Sequence, residues 1–208
     1  MRIVIDMQGA QTESRFRGIG RYTLAFAQAV ARNRGENEVI LVLSGLFPET
    51  IEPLRAAFRD VLPSKNIRVW HAPGPVLEGY PGNDIRREVS ELIRESYLAS
   101  LLPDVVHISS LFEGFWDDAT TSIGRLGTEI RTSVVIFDLI PLLNSDTYLK
   151  PNPPYEMHYR RKIRYLEKAN LCLAISAFSG REAETTLGIP SDRIVNISTA
   201  ADQNFKKG

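Results

Sequence analysis

A single cysteine, Cys172, is present among 208 residues, with three histidines and three methionines. One thiol allows no disulfide within the chain, which suits a reducing cytoplasm. Cys172 lies in the apolar run Leu171-Cys172-Leu173-Ala174-Ile175 and reads as a buried structural thiol, not a nucleophile. His71 and His107 fall in or at the end of strand-like runs and read as core residues; His158 falls on a basic helix and reads as exposed. No metal-ligand spacing surrounds any of the three, so no metal is expected. Excess charge is also lacking, since 25 Lys and Arg balance 25 Asp and Glu. That balance argues against nucleic acid held by a wholly basic surface. No apolar run approaches the roughly 20 residues of a membrane span. Ile3-Val4-Ile5 is too short for the core of a signal peptide. There is no internal repeat and no low-complexity tract.

What is present is a regular alternation. Short β-branched runs at 2–6, 38–43, 67–71, 104–108, 133–137, 171–175 and 194–197 read as strands. Between them, helical spacing or helix signals mark 19–33, 48–61, 154–169 and 177–187, and a long helix reaching 101 with Asn83 or Asp84 as its cap. Ser176 opens the last helix and Gly188 stops it. This order predicts an α/β fold: a Rossmann-like parallel sheet of seven strands with helices on both faces. One domain over 1–199 is expected, with 200–208 as the start of a linker. Ligands of such sheets bind beyond the carboxyl ends of the strands. The loops after Asp6, Ile108 and Phe137 are therefore the candidate site.

The first of these loops ends in Ser14-Arg15-Phe16-Arg17-Gly18-Ile19-Gly20-Arg21-Tyr22. Glycines at a helix start let an anion approach the backbone, and the free N–H groups and helix dipole face it. Gly18, Ile19 and Gly20 are candidate phosphate-binding residues, with Arg17 and Arg21 adding charge and Arg15 less well placed. The competing reading is that the two glycines only shape a tight loop. A dinucleotide fingerprint is a poor match. The glycines come about a dozen residues after the strand, where the tight turn needs them directly after it. Thr23 stands at the third glycine, and no acid ends the second strand.

Ser109 to Asp118 joins aromatic and acidic residues. Phe112, Glu113 and Trp116 would offer ring faces and a carboxylate to a sugar, or the rings would simply pin the loop. Asp138 ends a central strand, where a carboxylate takes a hydroxyl proton or caps the next turn. On the 154–169 helix, Tyr155, Tyr159, Ile163 and Leu166 share one face. Arg160, Arg161, Lys162, Arg164 and Lys168 are read as a basic surface for lipid head groups, or as the wet side of an ordinary amphipathic helix.

Four places carry a family resemblance: Arg17-Gly18-Ile19-Gly20-Arg21-Tyr22, Phe137-Asp138-Leu139-Ile140-Pro141-Leu142, Ile175-Ser176-Ala177-Phe178-Ser179, and the stretch from Leu187 to Val195 that leads to Ala201-Asp202. In this order they resemble the N-terminal half of a family-4 retaining glycosyltransferase of the GT-B type, most of all bacterial polysaccharide mannosyltransferases. The resemblance implies transfer of mannose from a nucleotide-sugar donor, GDP-mannose, to a polysaccharide or lipid-linked glycan acceptor. It implies Asp138 as the catalytic residue and no metal or other cofactor. It implies a partner: a C-terminal Rossmann domain of the same protein, without which this half is nearly inactive. The location it implies is cytoplasmic, at the inner face of the membrane. Relatives often carry a histidine where Phe137 stands. That departure keeps a second reading open, a non-catalytic glycan-binding or assembly module.

Overall fold

A computed structural model describes residues 1–127 and 130–199. The linker expected at 200–208, with Ala201 and Asp202, lies outside the described residues. Seven strands form one sheet: β1 (Arg2–Asp6), β2 (Glu38–Ser44), β3 (Ile67–Trp70), β4 (Val105–Ile108), β5 (Thr132–Ile136), β6 (Leu171–Ala174) and β7 (Ile194–Asn196). Every neighbouring pair is parallel, in the order β3-β2-β1-β4-β5-β6-β7. The direction of winding reverses between β1 and β4, where Ile5 is registered with Leu41 on one side and His107 on the other. Such a reversal opens a crevice at the carboxyl edge.

The helices are α1 (Gly18–Arg32), α2 (Pro48–Ala57), α3 (Asp84–Ser100), α4 (Ile140–Leu143), α5 (Ser145–Tyr148), α6 (Pro153–Leu166) and α7 (Ala177–Leu187). Alternating strand residues feed two cores. Val4, Val42, Val106, Ile108 and Val134 face Leu98 of α3, Leu166 of α6 and Ala183 of α7. Ile5, Leu41 and Leu43 face Ala27 and Ala31 of α1 and Leu54 of α2. Pro48 supplies the first turn of α2. Ser176 caps α7 by accepting from the Ser179 amide at 3.0 Å, and Gly188 ends it in the left-handed region at φ 65°.

Some local expectations shift. α2 stops at Ala57, and the chain continues in turns to Leu62. Asn83 precedes α3 without capping it; its amide donates to the Leu77 carbonyl. Asn152 caps α6, which ends at Leu166. The short helices α4 and α5 were not anticipated, because four-residue helices leave no periodicity to read.

Two buried polar features fix the central strands. Asp6 and Arg94 are almost fully buried and form an ion pair, with Arg94 Nε donating to Asp6 Oδ2 at 2.7 Å. The Gln8 amide and side chain also donate to Asp6, and Arg94 Nη1 donates to the Ser122 carbonyl. His107 is buried as expected, with Nδ1 2.9 Å from Ser133 Oγ. Burial pushes its imidazole down to about 3. Cys172 is a buried thiol raised to about 11 by desolvation, as a structural cysteine should be.

Replacing Arg94 by Met strands the Asp6 carboxylate in the core, so denaturant unfolding of that variant should show a loss of about 3–5 kcal/mol. His107 gives a second expectation. Between pH 6.5 and about 3 the unfolded chain binds a proton that the folded chain refuses. Stability therefore falls as pH drops through that window. Melting curves of His107→Gln should show a shallower fall there than wild type.

Candidate functional site

The approach to the glycine turn is built from short polar bonds. Thr12 accepts from the Ser14 amide at 3.2 Å and starts a 3₁₀ turn over Glu13–Phe16. The Arg17 amide closes that turn on the Ser14 carbonyl, and Arg17 enters α1 with an extended backbone and no side-chain cap. The first helical bond runs from the Arg21 amide to the Arg17 carbonyl at 3.2 Å. The amides of Gly18, Ile19 and Gly20 precede it and have no intrahelical acceptor.

The two glycines have different jobs. Around Gly18 a Cβ would meet nothing within 4 Å, and the residue is exposed. At Gly20 a Cβ would lie 2.3 Å from both Arg15 Cα and Ser14 O. Gly20 is buried, with the start of α1 seated directly on the 3₁₀ turn. Gly20 thus shapes the loop, while Gly18 faces open space.

Arg17, Gly18, Ile19 and Tyr22 line a cleft of about 370 Å³ together with Phe137, Asp138, Ile175 and Thr199. The first and third expected loops therefore meet. Arg21 is exposed one turn along α1 and is not part of the lining. Arg15 is occupied by the Gln11 carbonyl and lies near Glu13 and Glu49. Asp138 is exposed; one carboxylate oxygen accepts from the Ile140 amide at 3.0 Å and the other carries no protein bond among the described residues. It both caps the turn and faces the cleft. Phe137 is held edge-on by Tyr22 at 5.4 Å, Tyr22 stacks on Phe26 at 6.0 Å, and Phe26 stacks on His107 at 4.5 Å. Tyr22, which in the sequence only closes the glycine stretch, is a cleft residue. Its position one turn after Gly18 was the available signal.

A slightly larger cavity, about 410 Å³, opens between α3 and the amino end of β5, among Arg94, Leu98, Thr132 and Lys168. Its lining runs along the sheet, from Ile108 at the carboxyl end of β4 to Thr132 at the amino end of β5, and includes neither the glycine turn nor Asp138.

The acidic and aromatic loop divides in three. Phe112 packs on Tyr159 at 4.7 Å and belongs to the core around Leu139 and Ile163. Glu113 is spent on hydroxyls: Ser14 at 2.8 Å, Ser110 at 2.9 Å and Thr12 at 3.3 Å all donate to it. Trp116 alone remains free for a ligand, 74% exposed and backed edge-on by Phe115 at 4.5 Å. None of the three lines the cleft with Asp138. Asp117, beside them, was not singled out. Burial and the neighbouring Glu113 charge push its carboxyl up to about 7.

Two histidine placements are corrected. His158 is fully buried, not exposed, with Nδ1 2.6 Å from Glu78 Oε2. Burial opposes the Glu78 charge, but hydrogen bonds from His158 and Arg161 prevail and hold it at about 2. His71 is exposed rather than in the core. The basic surface of α6 also shrinks. Lys162 turns inward to donate to Thr121, Arg161 pairs with Glu78, and Arg160 pairs with Glu156. Arg164 and Lys168 remain exposed. The sequence pattern hid this because long side chains can bury their stems and still find a carboxylate. Among the described residues no group of three or more His, Cys, Asp and Glu side chains is placed to hold a metal. No described helix is long and apolar enough to cross a membrane.

No model of a known protein family matches the chain. Individual proteins do. The serotype-specific mannosyltransferase WbdA of Escherichia coli is 36% identical over 206 residues, which is 99% of this chain and 24% of that protein. A second WbdA sequence from the same species is 32% identical over 180 residues. The chain thus spans about a quarter of the curated relatives it matches. Among solved structures, the lipopolysaccharide outer core galactosyltransferase WaaB matches 97% of this chain with 46% of its own, at a TM-score of 0.55 and 13% identity. The UDP-GlcNAc 2-epimerase of Neisseria meningitidis, bound to UDP-GlcNAc, gives a TM-score of 0.58 at 12% identity, again over 46% of its chain. At such identities the likeness is one of fold. The chain is thus a Rossmann-like parallel α/β domain, similar in sequence over nearly its full length to a segment of the WbdA mannosyltransferases.

Proposed function

We propose that this chain is the acceptor-side domain of a retaining mannosyltransferase, which moves mannose from GDP-mannose to a growing bacterial polysaccharide or lipid-linked glycan. The observation that carries the reading is the shared cleft, lined by the free amides at Gly18 and Ile19 together with the Asp138 carboxylate. As a glycosidic bond breaks, negative charge builds on the leaving diphosphate. Fixed backbone donors and the Arg17 guanidinium stabilise that charge without reorganising. Asp138 takes the proton of the attacking hydroxyl or orients the sugar. Trp116 gives the acceptor glycan a ring face on the same edge of the sheet. A second nucleotide-holding domain completes the site. The relatives named mannosyltransferases support the sugar, and their greater length leaves room for that domain. On this reading the protein works at the cytoplasmic side of the membrane, with Arg164 and Lys168 as its basic contact with lipid.

One observation favours the other reading, a glycan-binding or assembly module without catalysis. Phe137, held by Tyr22, puts a phenyl ring where a polar imidazole would otherwise face the sugar.

Two substitutions in the protein carrying both halves test the enzyme. Asp138→Asn keeps the oxygen that accepts from Ile140 and loses the base, so sugar transfer should fall by about 100-fold or more with the melting temperature unchanged. Unchanged turnover removes Asp138 from the mechanism. Gly18→Val adds bulk where nothing lies within 4 Å of the Cβ, so it blocks the cleft without unfolding the turn. Donor KM should rise by about 10-fold or more, because the added side chain keeps the diphosphate off the free amides, at the cost of about one charge-assisted contact. Gly20 is the wrong site for this test, because its Cβ would collide with Ser14 and Arg15.

A further inference from the structure

We infer that Glu113 is the positioning residue of the glycine turn, acting through Ser14 and Thr12. It makes the acidic loop after β4 and the phosphate-facing turn before α1 one unit. The inference rests on the proposed function for its meaning, and on contacts alone for its geometry. Three hydroxyls from two loops converge on one carboxylate: Thr12 and Ser14 from the approach to α1, Ser110 from its own loop. Thr12 and Ser14 are the residues that build the 3₁₀ turn, since the Ser14 amide donates to Thr12 Oγ1 and the Ser14 carbonyl accepts from the Arg17 amide. That turn is the seat on which Gly20 rests, with Ser14 O and Arg15 Cα each 2.3 Å from where a Cβ would stand. A shift of the seat therefore shifts the first turn of α1, and with it the direction of the Gly18 and Ile19 amides. Glu113 holds the seat through the Thr12 and Ser14 hydroxyls.

The same carboxylate reaches the acceptor side. Glu113 is three residues before Trp116, and the Asp117 carboxyl lies close enough for its ionisation to feel Glu113 and Lys162. Asp117 is itself fixed to the Ala119 amide at 2.8 Å, and Lys162 to Thr121. Between Glu113 and Trp116 the loop is held again, since the Gly114 and Phe115 carbonyls accept from the Glu78 and Gly79 amides and the Phe115 ring is buried.

Amide hydrogen exchange on this chain tests the hold directly. Arg15, Arg17 and Arg21 carry the reporting protons, bonded to the Thr12, Ser14 and Arg17 carbonyls. In Glu113→Ala their exchange should quicken by about tenfold while the amides of β1 and β5 stay as in wild type. Glu113→Gln keeps the oxygen that accepts from Ser14 and Ser110 and should restore wild-type exchange. Ser14→Ala, which removes one arm only, should quicken the same three amides and serves if Glu113→Ala does not fold. Wild-type exchange in both alanine variants overturns the inference. So does a rise spread evenly over the sheet that Glu113→Gln leaves in place, which would make Glu113 an ordinary stabilising residue. Calorimetric titration with inorganic pyrophosphate supplies the second arm: Glu113→Ala should bind it about tenfold more weakly and Glu113→Gln like wild type. A wild-type chain that ignores pyrophosphate counts against the diphosphate reading, and the exchange result still decides the role of Glu113.

Discussion

The seat of Gly20 on Ser14 and Arg15 is the contact on which the rest of the site depends. Only a residue without a Cβ lets the first turn of α1 lie so close to the preceding 3₁₀ turn. That closeness sets the first turn of α1, whose Gly18 and Ile19 line the same cleft as Asp138. The sheet makes the meeting possible. β1 and β5 are both parallel to β4 and separated by it, so their carboxyl ends carry two loops to the same edge with one strand's width between them.

The loops at this edge of the sheet are held by polar contacts as much as by the core. Asp6 at the end of β1 is locked by Arg94 and Gln8. The loop from Pro75 to Glu78 is tied to the acidic loop, since Asp118 accepts from the Val76 and Leu77 amides and the Glu78 amide donates to the Gly114 carbonyl. Glu78 then fastens both to α6 through His158 and Arg161. These charges are buried or half-buried and expensive if left alone, so together they favour a single arrangement of the loops. On the other side, the rings of Phe137, Tyr22, Phe26 and His107 run from the cleft into the core.

The strands were legible because each is a short β-branched run between polar breaks, and the structure places all seven within a residue or so of expectation. The glycine turn and Asp138 were legible as a pair because parallel strands deliver their loops to one edge. What stayed hidden depends on partners far away in sequence. Gly18 and Gly20 look alike in a string, yet one faces solvent and the other a backbone. His158 and Lys162 read as wet residues of a basic helix, but Glu78 lies 80 residues before His158 and supplies its counter-charge. Glu113 reads as a sugar ligand until the hydroxyls of Thr12 and Ser14, about a hundred positions upstream, are seen to claim it. Periodicity reports which face is apolar; it does not report which charge finds a mate.

The most direct test of the central claim, that the cleft between Gly18 and Asp138 receives the diphosphate of a nucleotide sugar, is a titration of isotope-labelled chain with GDP-mannose followed by the backbone amide signals. Shifts centred on Gly18, Ile19 and Asp138, absent with mannose alone, are predicted. Shifts confined to the cavity by Arg94 and Thr132, or to the Trp116 loop, would contradict it.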